Sequence, residues 1–354
     1  MADQPVTGEE FGSVERDAHR LRNGIIWAAA LLLLLLAVGL AVPDLRSVLH
    51  RAAKAAPGWL IAGVALELAS CLGYVATVRL VLRRGPRREV RALAWAEMAF
   101  GAVVPVGGAG GLAVGAWAMR AWQLPWSRIA NRSAVIFLLT SAVNVFTLAL
   151  SGIGLMLGIG SGPSGLIYGL IPGATGLAAL GLFLALPVVV RRMNLGEHDG
   201  RIALVLVRAA DWVRDTVWIL RERDWRLLGS LAYLMCDIAV LWVCLRAVGS
   251  PAPVLAVVVA YQIGYLSNLL PVPGGVGVLE GGLLGALLLY GLPAAPTAAA
   301  VVLYHAIALW IPAIGGTLGF VRLRTALAKG PPAELAELRP AVTAPAKAEH
   351  NLAA

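Results

Sequence analysis

The chain has 354 residues, 59% of them hydrophobic and 14% charged, with a formal net charge of +9. A water-soluble domain carries about a quarter charged residues, so this balance excludes one and points to a protein whose surface faces lipid. The positive excess does not indicate nucleic-acid binding, because the basic residues sit in short segments flanking apolar runs, where the positive-inside bias places them.

Arg20 and Arg22 precede the first apolar run, Ile25 to Val42, which holds eighteen uncharged residues including six consecutive leucines. Gly39-Leu40-Ala41 offers a signal-peptide cleavage site, but the apolar core is too long for one and the run reads as a spanning helix. Further apolar runs follow at about 58–82, 92–119, 133–159, 166–190, 227–248, 254–290 and 297–320, eight segments in all. Cys71, Cys236 and Cys244 lie inside these runs without metal-type spacing, so neither a disulfide framework nor a metal site is expected.

The linkers sort by charge. Arg83, Arg84, Arg87, Arg88 and Arg91 fill one; Arg120, Arg128 and Arg132 another; 191–226 holds eight arginines; Arg322, Arg324 and Lys329 follow the last run. Linkers 160–165 and 291–296 carry no charge. With the basic linkers cytoplasmic, 92–119 must enter and leave on the same side. Its centre, Pro105-Val106-Gly107-Gly108-Ala109-Gly110-Gly111, breaks a helix. The run 254–290 is broken likewise at Pro271-Val272-Pro273-Gly274-Gly275-Val276-Gly277 and opens to the other face, as a re-entrant hairpin or two short spans. The expected fold is an all-α polytopic membrane protein with about six full spans and two re-entrant hairpins, both termini cytoplasmic. Only 44–57, with Arg46, Arg51 and Lys54, lies outside against the charge rule.

The two breaks match. Gly107 and Gly274 are 167 residues apart, and Leu124-Pro125 and Leu292-Pro293 are 168 apart. The units 58–159 and 227–320 therefore read as an inverted repeat, which in transporters places the substrate site at the repeat interface near the midplane. Close packing of small residues is the plainer reading of one Gly-Gly pair, but two matched breaks of opposite orientation favour a cavity. The membrane domain spans 24–325, after a cytoplasmic segment 1–23. The tail 326–354, with Pro331, Pro332, Pro340 and Pro345, reads as disordered. The linker 191–226 contains an amphipathic stretch in which Arg208, Asp211, Asp215 and Glu222 alternate with Trp212, Trp218 and Trp225. It is expected to lie on the cytoplasmic membrane surface as an anchor.

Candidate binding residues follow from the breaks. Helix N-termini at 111–114 and 276–280, inside the membrane, would favour anions such as a lipid phosphate. Pro105, Gly107, Gly108, Pro271, Pro273, Gly274, Gly275 and Gly277 shape the breaks, with Asn268 beside the second. Glu280, in the first turn after the second break, either caps its own helix or binds a proton or cationic head group. Asp237, ten residues into its run, is a further intramembrane candidate; Glu67 and Glu97 rank below it. Arg79 and Arg120 end apolar runs, where they snorkel or contact a lipid phosphate. His305, Asn144 and Gln262 read as packing, backbone-satisfying or cavity-lining residues.

The stretch Asn268-Leu-Leu-Pro-Val-Pro-Gly-Gly-Val-Gly-Val-Leu-Glu280, with the weaker Val104-Pro105-Val106-Gly107-Gly108, resembles the signature of the bacterial flippase-like family. This is the transmembrane region of lysylphosphatidylglycerol synthases and their stand-alone relatives, and the resemblance covers about 25–325. Family members often carry a charge just after the first Gly-Gly, whereas Ala109 to Ala113 is uncharged here, which argues against a mechanism needing charge on both hairpins. The resemblance implies translocation of an anionic phospholipid or lipid-linked sugar between leaflets of the bacterial cell membrane, without an aminoacyl-transfer domain. Envelope-biosynthesis enzymes are the expected protein partners. The alternative is a non-catalytic scaffold subunit of a lipid-modifying or glycosyltransferase complex. No cofactor and no enzymatic activity are expected, since the sequence offers no aspartate pair for a sugar-nucleotide metal and no His/carboxylate cluster.

Overall fold

The structure, a computed structural model, describes residues 50–103, 109–159, 166–195, 200–266 and 278–328, together with 48 and 163. The chain divides into two compact units, Met1–Lys54 and Ala55–Ala354. In the first, 50–53 are helical; the apolar run 25–42 lies outside the described residues. The second is helical wherever it has regular structure among the described residues: α1 (Pro57–Val81), α2 (Arg87–Val103), α3 (Ala109–Ala121), α4 (Trp126–Met156), α5 (Ile171–Arg192), α6 (Arg201–Arg221), α7 (Leu227–Ala247), α8 (Val254–Leu266), α9 (Val278–Leu289) and α10 (Ala294–Leu327). A π-helical turn, Leu166–Leu170, leads directly into α5.

Five of these are long and apolar enough to cross a bilayer: α1, α4, α5 with its leading turn, α7 and α10. The four helices of the two broken runs are shorter. At 1.5 Å per residue, the 17 residues of α2, 13 of α3, 13 of α8 and 12 of α9 rise only about 18–26 Å, less than the roughly 30 Å hydrocarbon core. Each broken run thus becomes two short helices packed on each other, α2 on α3 and α8 on α9. Two helices begin earlier than the apolar runs do: α2 takes in Arg87, Arg88 and Arg91, and α4 takes in Arg128 and Arg132. The long arginine stems let apolar helices continue into the head-group zone.

Seams between helices are built on small residues. On α1 and α7, which share the most extensive interface, Gly73 and Gly229 bring the two backbones together: a Cβ on either would lie 2.6 Å from the other's carbonyl oxygen. The Ser70 hydroxyl donates to the Tyr233 carbonyl at 2.9 Å, and the Thr77 and Ser230 hydroxyls share a bond of 2.9 Å. On α10, Gly315, Gly316 and Gly319 receive Trp95 and Ala99 of α2. In lipid, where apolar area alone does not favour association, such close approach is what holds helices together.

The contacts fix direction. The end of α1 meets the start of α7, where the Arg226 side chain reaches the Arg79 carbonyl, and the start of α4, where Leu80 and Val81 pack with Val135 and Leu139. Gly319, near the end of α10, meets Ala92, near the start of α2. Glu97 of α2 faces Gly111 and Gly115 of α3, so α3 returns and ends near the start of α2. The outer ends of α2 and α3 therefore lie at one arginine-rich end of the bundle. At the opposite end the Ala56 amide donates to the Ala247 carbonyl, Trp242 donates to Ala252, and Gly154 meets Leu255. There α8 begins and α9 finishes, with Tyr290 donating to the Tyr168 carbonyl. The two short helix pairs enter the bundle from opposite ends.

The two Leu-Pro pairs build the same turn. Gln123 (φ 63°) and Gly291 (φ 85°) adopt the left-handed conformation; their amides donate to Arg120 and Leu288, and those of Leu124 and Leu292 to Met119 and Leu287. This double bond closes the last turn of a helix, and the following proline, Pro125 or Pro293, starts the next one from an extended conformation.

Candidate functional site

The register of α1 against α7 decides which polar groups meet inside the bundle. Ala56 pairs with Ala247, Gly63 with Val240 and Val243, Ser70 with Tyr233, and Gly73 with Gly229 and Tyr233. Extended along the antiparallel seam, this alignment sets Glu67 opposite Asp237, and the two carboxylates act on each other electrostatically. Asp237 lies ten residues into the 21-residue α7, about 15 Å from either end and so near mid-depth. Charged side chains at that depth cost about 2.5–3.5 kcal/mol on insertion scales, so a pair of them marks a functional candidate.

Both carboxylates are only half satisfied. On Asp237, Oδ2 accepts from the Tyr261 hydroxyl of α8 and the Tyr304 hydroxyl of α10, the latter at 3.2 Å. Oδ1 is enclosed and has no partner. On Glu67, which is 4% exposed, Oε1 takes a weak bond from the Cys71 thiol at 3.7 Å, and Oε2 is enclosed without a partner. Leaving such an atom unpaired ordinarily costs about 1–3 kcal/mol, more for a charged group. Tyrosine rings surround the pair: Tyr261 stacks on Tyr265 at 5.2 Å and meets Tyr304 edge-on at 6.2 Å. Tyr265 is 40% exposed, so the cluster borders an accessible surface.

A second carboxylate joins from the first short helix pair. Glu97 on α2 is buried and accepts from the Tyr74 hydroxyl of α1 at 3.1 Å. The Tyr74 ring lies 5.3 Å from that of Tyr233, one turn before Asp237. Gly111 and Gly115 of α3 make the room: a Cβ on Gly115 would run into Glu97 Oε1. Five of the seven tyrosines thus connect three acids contributed by α1, α2 and α7.

The arginine-rich end carries a different chemistry. A groove of about 330 Å³ between the start of α4 and α6 is lined by Ser127, Arg128, Asn131, Arg132, Arg208, Asp211, Trp212 and Asp215. Asp211 pairs with Arg214, and Asp215 accepts from the Asn131 amide at 3.0 Å. Nearby, Arg83 pairs with Glu222 and, at 3.8 Å, with Asp224. The expected amphipathic helix is α6. It buries Ala203, Ala210, Val213, Thr216 and Ile219 while leaving Ile202, Val205 and Trp218 exposed.

Of the residues proposed from sequence, the structure brings Asp237 into the acid–tyrosine cluster. Arg79 and Arg120 lie at the arginine-rich end, away from that cluster. Arg120 is engaged locally, donating to the Leu124 carbonyl at 3.0 Å and lying over the Trp126 ring. Gln262 of α8 sits 2.8 Å from the Thr147 hydroxyl of α4 and joins those helices, and Asn144 donates to Thr140 within α4. Pro105, Gly107, Gly108, Asn268, Pro271, Pro273, Gly274, Gly275, Gly277 and the side chain of Glu280 lie outside the described residues. Glu67 and Glu97, ranked low from sequence, are central here. The usable signal was their depth in otherwise apolar helices.

The family described as the lysylphosphatidylglycerol synthase TM region matches residues 25–316, more than four-fifths of the chain. No individually curated protein matches. The matched stretch takes in α1 to α9, most of α10, all three acids of the cluster and all five cluster tyrosines. The chain belongs to the family of lysylphosphatidylglycerol synthase transmembrane regions, a family of multi-pass membrane proteins.

Proposed function

We propose that this protein translocates an anionic phospholipid or lipid-linked sugar between leaflets of the bacterial cell membrane. The observation that carries the reading is one of placement. Two short helix pairs enter from opposite ends, and at mid-depth between them lies a half-satisfied cluster of carboxylates and tyrosines. Spanning helices that served only as an anchor would gain nothing from three acids set within their span. Short helices from opposed ends are the arrangement by which inverted-repeat transporters expose a midplane site alternately to each side, and units 58–159 and 227–320 supply one pair each.

The arginine-rich end fits the cytoplasmic face by the positive-inside bias, which places the C-terminal end of α10 there. Its groove offers guanidinium groups to a lipid phosphate, and the exposed apolar side chains of α6 suit a helix resting in the interface. A head group captured there would pass the acid–tyrosine cluster while its tails stay in the bilayer. No covalent chemistry is involved.

Leaflet-resolved lipid labelling, with lipidomics, in cells lacking the protein and complemented with wild type or Asp237→Asn tests this. One head-group class should be stranded in the inner leaflet and be restored by wild type but not by the variant. If no lipid changes sides while an envelope glycan disappears with a partner enzyme, the protein is a scaffold subunit.

A further inference from the structure

We propose that Glu67 and Asp237 hold one exchangeable proton between them and that this proton is the coupling charge of the transport cycle. The second clause rests on the translocation reading; the first stands on the register of α1 against α7 and on the two unpartnered oxygens. The register brings the two residues level on a seam whose backbones touch at Gly73 and Gly229, so they cannot simply move apart. Each keeps one enclosed oxygen without a partner. Two carboxylates so placed in a low-dielectric interior cannot both stay ionised without a neutralising charge, and a shared proton is the smallest one.

Among the described residues the surroundings do not supply that charge. On α1 and α7 the neighbours are the Cys71 and Cys236 thiols and the Tyr233 hydroxyl. From α8 come Tyr261 and Tyr265, and from α10 comes Tyr304. All are neutral donors. Among the described residues the one basic side chain these helices carry at this level is His305, next to Tyr304, and neither unpartnered oxygen hydrogen-bonds to it. From α2 comes another acid, Glu97, held by Tyr74; α4 has no titratable side chain between Arg132 and its end at Met156. Among the described residues no group of three or more His, Cys, Asp or Glu side chains is placed to hold a metal ion.

The geometry also gives the proton a reason to leave. Tyr261 sits on α8, a leg of one short helix pair, and Tyr304 sits on α10, which packs on a leg of the other. Movement of either pair that withdraws a hydroxyl from Asp237 changes how strongly the acids hold their proton. An anionic head group passing the cluster could not share it with two bare carboxylates, so proton binding and head-group passage are linked.

The test uses the full chain reconstituted in liposomes and treated with dicyclohexylcarbodiimide, an apolar reagent that modifies protonated carboxyls. Mapping by mass spectrometry should place the adduct on Glu67 or Asp237, with labelling that falls as the medium is made alkaline. In Glu67→Gln and in Asp237→Asn the surviving acid loses its like-charged neighbour, so its labelling profile should move to more acidic pH. A purely structural carboxyl would show no dependence on its partner. Infrared spectra should show a protonated-carboxyl band that both variants diminish, a readout that needs no reagent access. Absence of both adduct and band overturns the proposal, as does labelling suppressed by sodium ions at fixed pH. If lipid translocation is absent while the shared-proton signature is present, the transport reading falls and the proton site stands. If translocation is present, an imposed proton gradient should change its rate severalfold in wild type and leave Asp237→Asn unmoved; a wild-type rate indifferent to the gradient removes the coupling role.

Discussion

Gly73→Ala should destabilise the protein even though alanine is the better helix former. The new Cβ would lie 2.6 Å from the Gly229 carbonyl oxygen and 2.7 Å from the Tyr233 amide nitrogen, both backbone atoms of α7. Ordinary contact begins near 3.4 Å, so the seam must open by about 0.8 Å. At that displacement the 2.9 Å Ser70–Tyr233 and Thr77–Ser230 bonds stretch to about 3.7 Å, beyond hydrogen-bonding range. Two lost bonds at about 1 kcal/mol each, plus about 1–3 kcal/mol of overpacking, outweigh the roughly 1 kcal/mol that alanine gains in helix propensity. The net cost is about 2–4 kcal/mol. Thermal unfolding of purified protein in detergent measures it, with Gly181→Ala, which meets nothing within 4 Å, as the propensity control. If Gly73→Ala melts no lower than Gly181→Ala, the backbone-contact reasoning for this seam is wrong.

Gly115→Ala drives a methyl into the Glu97 carboxylate, whereas Gly111→Ala meets the Glu97 backbone carbonyl at 2.6 Å. The first should impair lipid translocation with a small change in melting temperature, because a side-chain end can move aside. The second should lower the melting temperature clearly, by about 1–3 kcal/mol of overpacking. Gln123→Gly should stabilise the protein by up to about 1 kcal/mol, read from the same melts, since glutamine occupies there the left-handed conformation that glycine supplies in the matching turn. Combined Arg128→Gln and Arg132→Gln should weaken binding of anionic-lipid vesicles at low salt and narrow the difference from wild type as salt rises, measured by co-flotation. Equal loss at all salt concentrations would place these arginines outside any head-group site.

The spans and their breaks were legible because membrane thickness writes itself into run length: 227–248 was expected and Leu227–Ala247 is found. The turns at Leu124-Pro125 and Leu292-Pro293 were visible as a recurring offset, though not that both close a left-handed helix end. Helix starts were less legible. Arginines at 87–91 and at 128 and 132 looked like linker, and they are helical because their stems reach the interface. The acid–tyrosine cluster was the least legible part. Glu67 and Asp237 are separated by 170 positions, and only the register fixed by Gly73 and Gly229 brings them level. No local spacing encodes that register. Glu97 was hidden for a related reason, since its pocket is two absences of side chain on another helix, Gly111 and Gly115.

The principal seams, α1 with α7 and α2 with α10, both join early segments to late ones, and this has a consequence for how the protein is made. Glu67 and Glu97 are inserted long before Tyr233, Asp237 and Tyr304 exist. At about 5–20 residues per second, the 170 residues separating Glu67 from Asp237 take roughly 10–30 s to synthesise. Throughout that interval Glu67 and the bare glycine face of α1 lie in the membrane without their final neighbours. Biogenesis of this protein therefore needs a shelter for its first half, from the insertion machinery or a chaperone, and a stalled or truncated chain would be a ready substrate for membrane proteases.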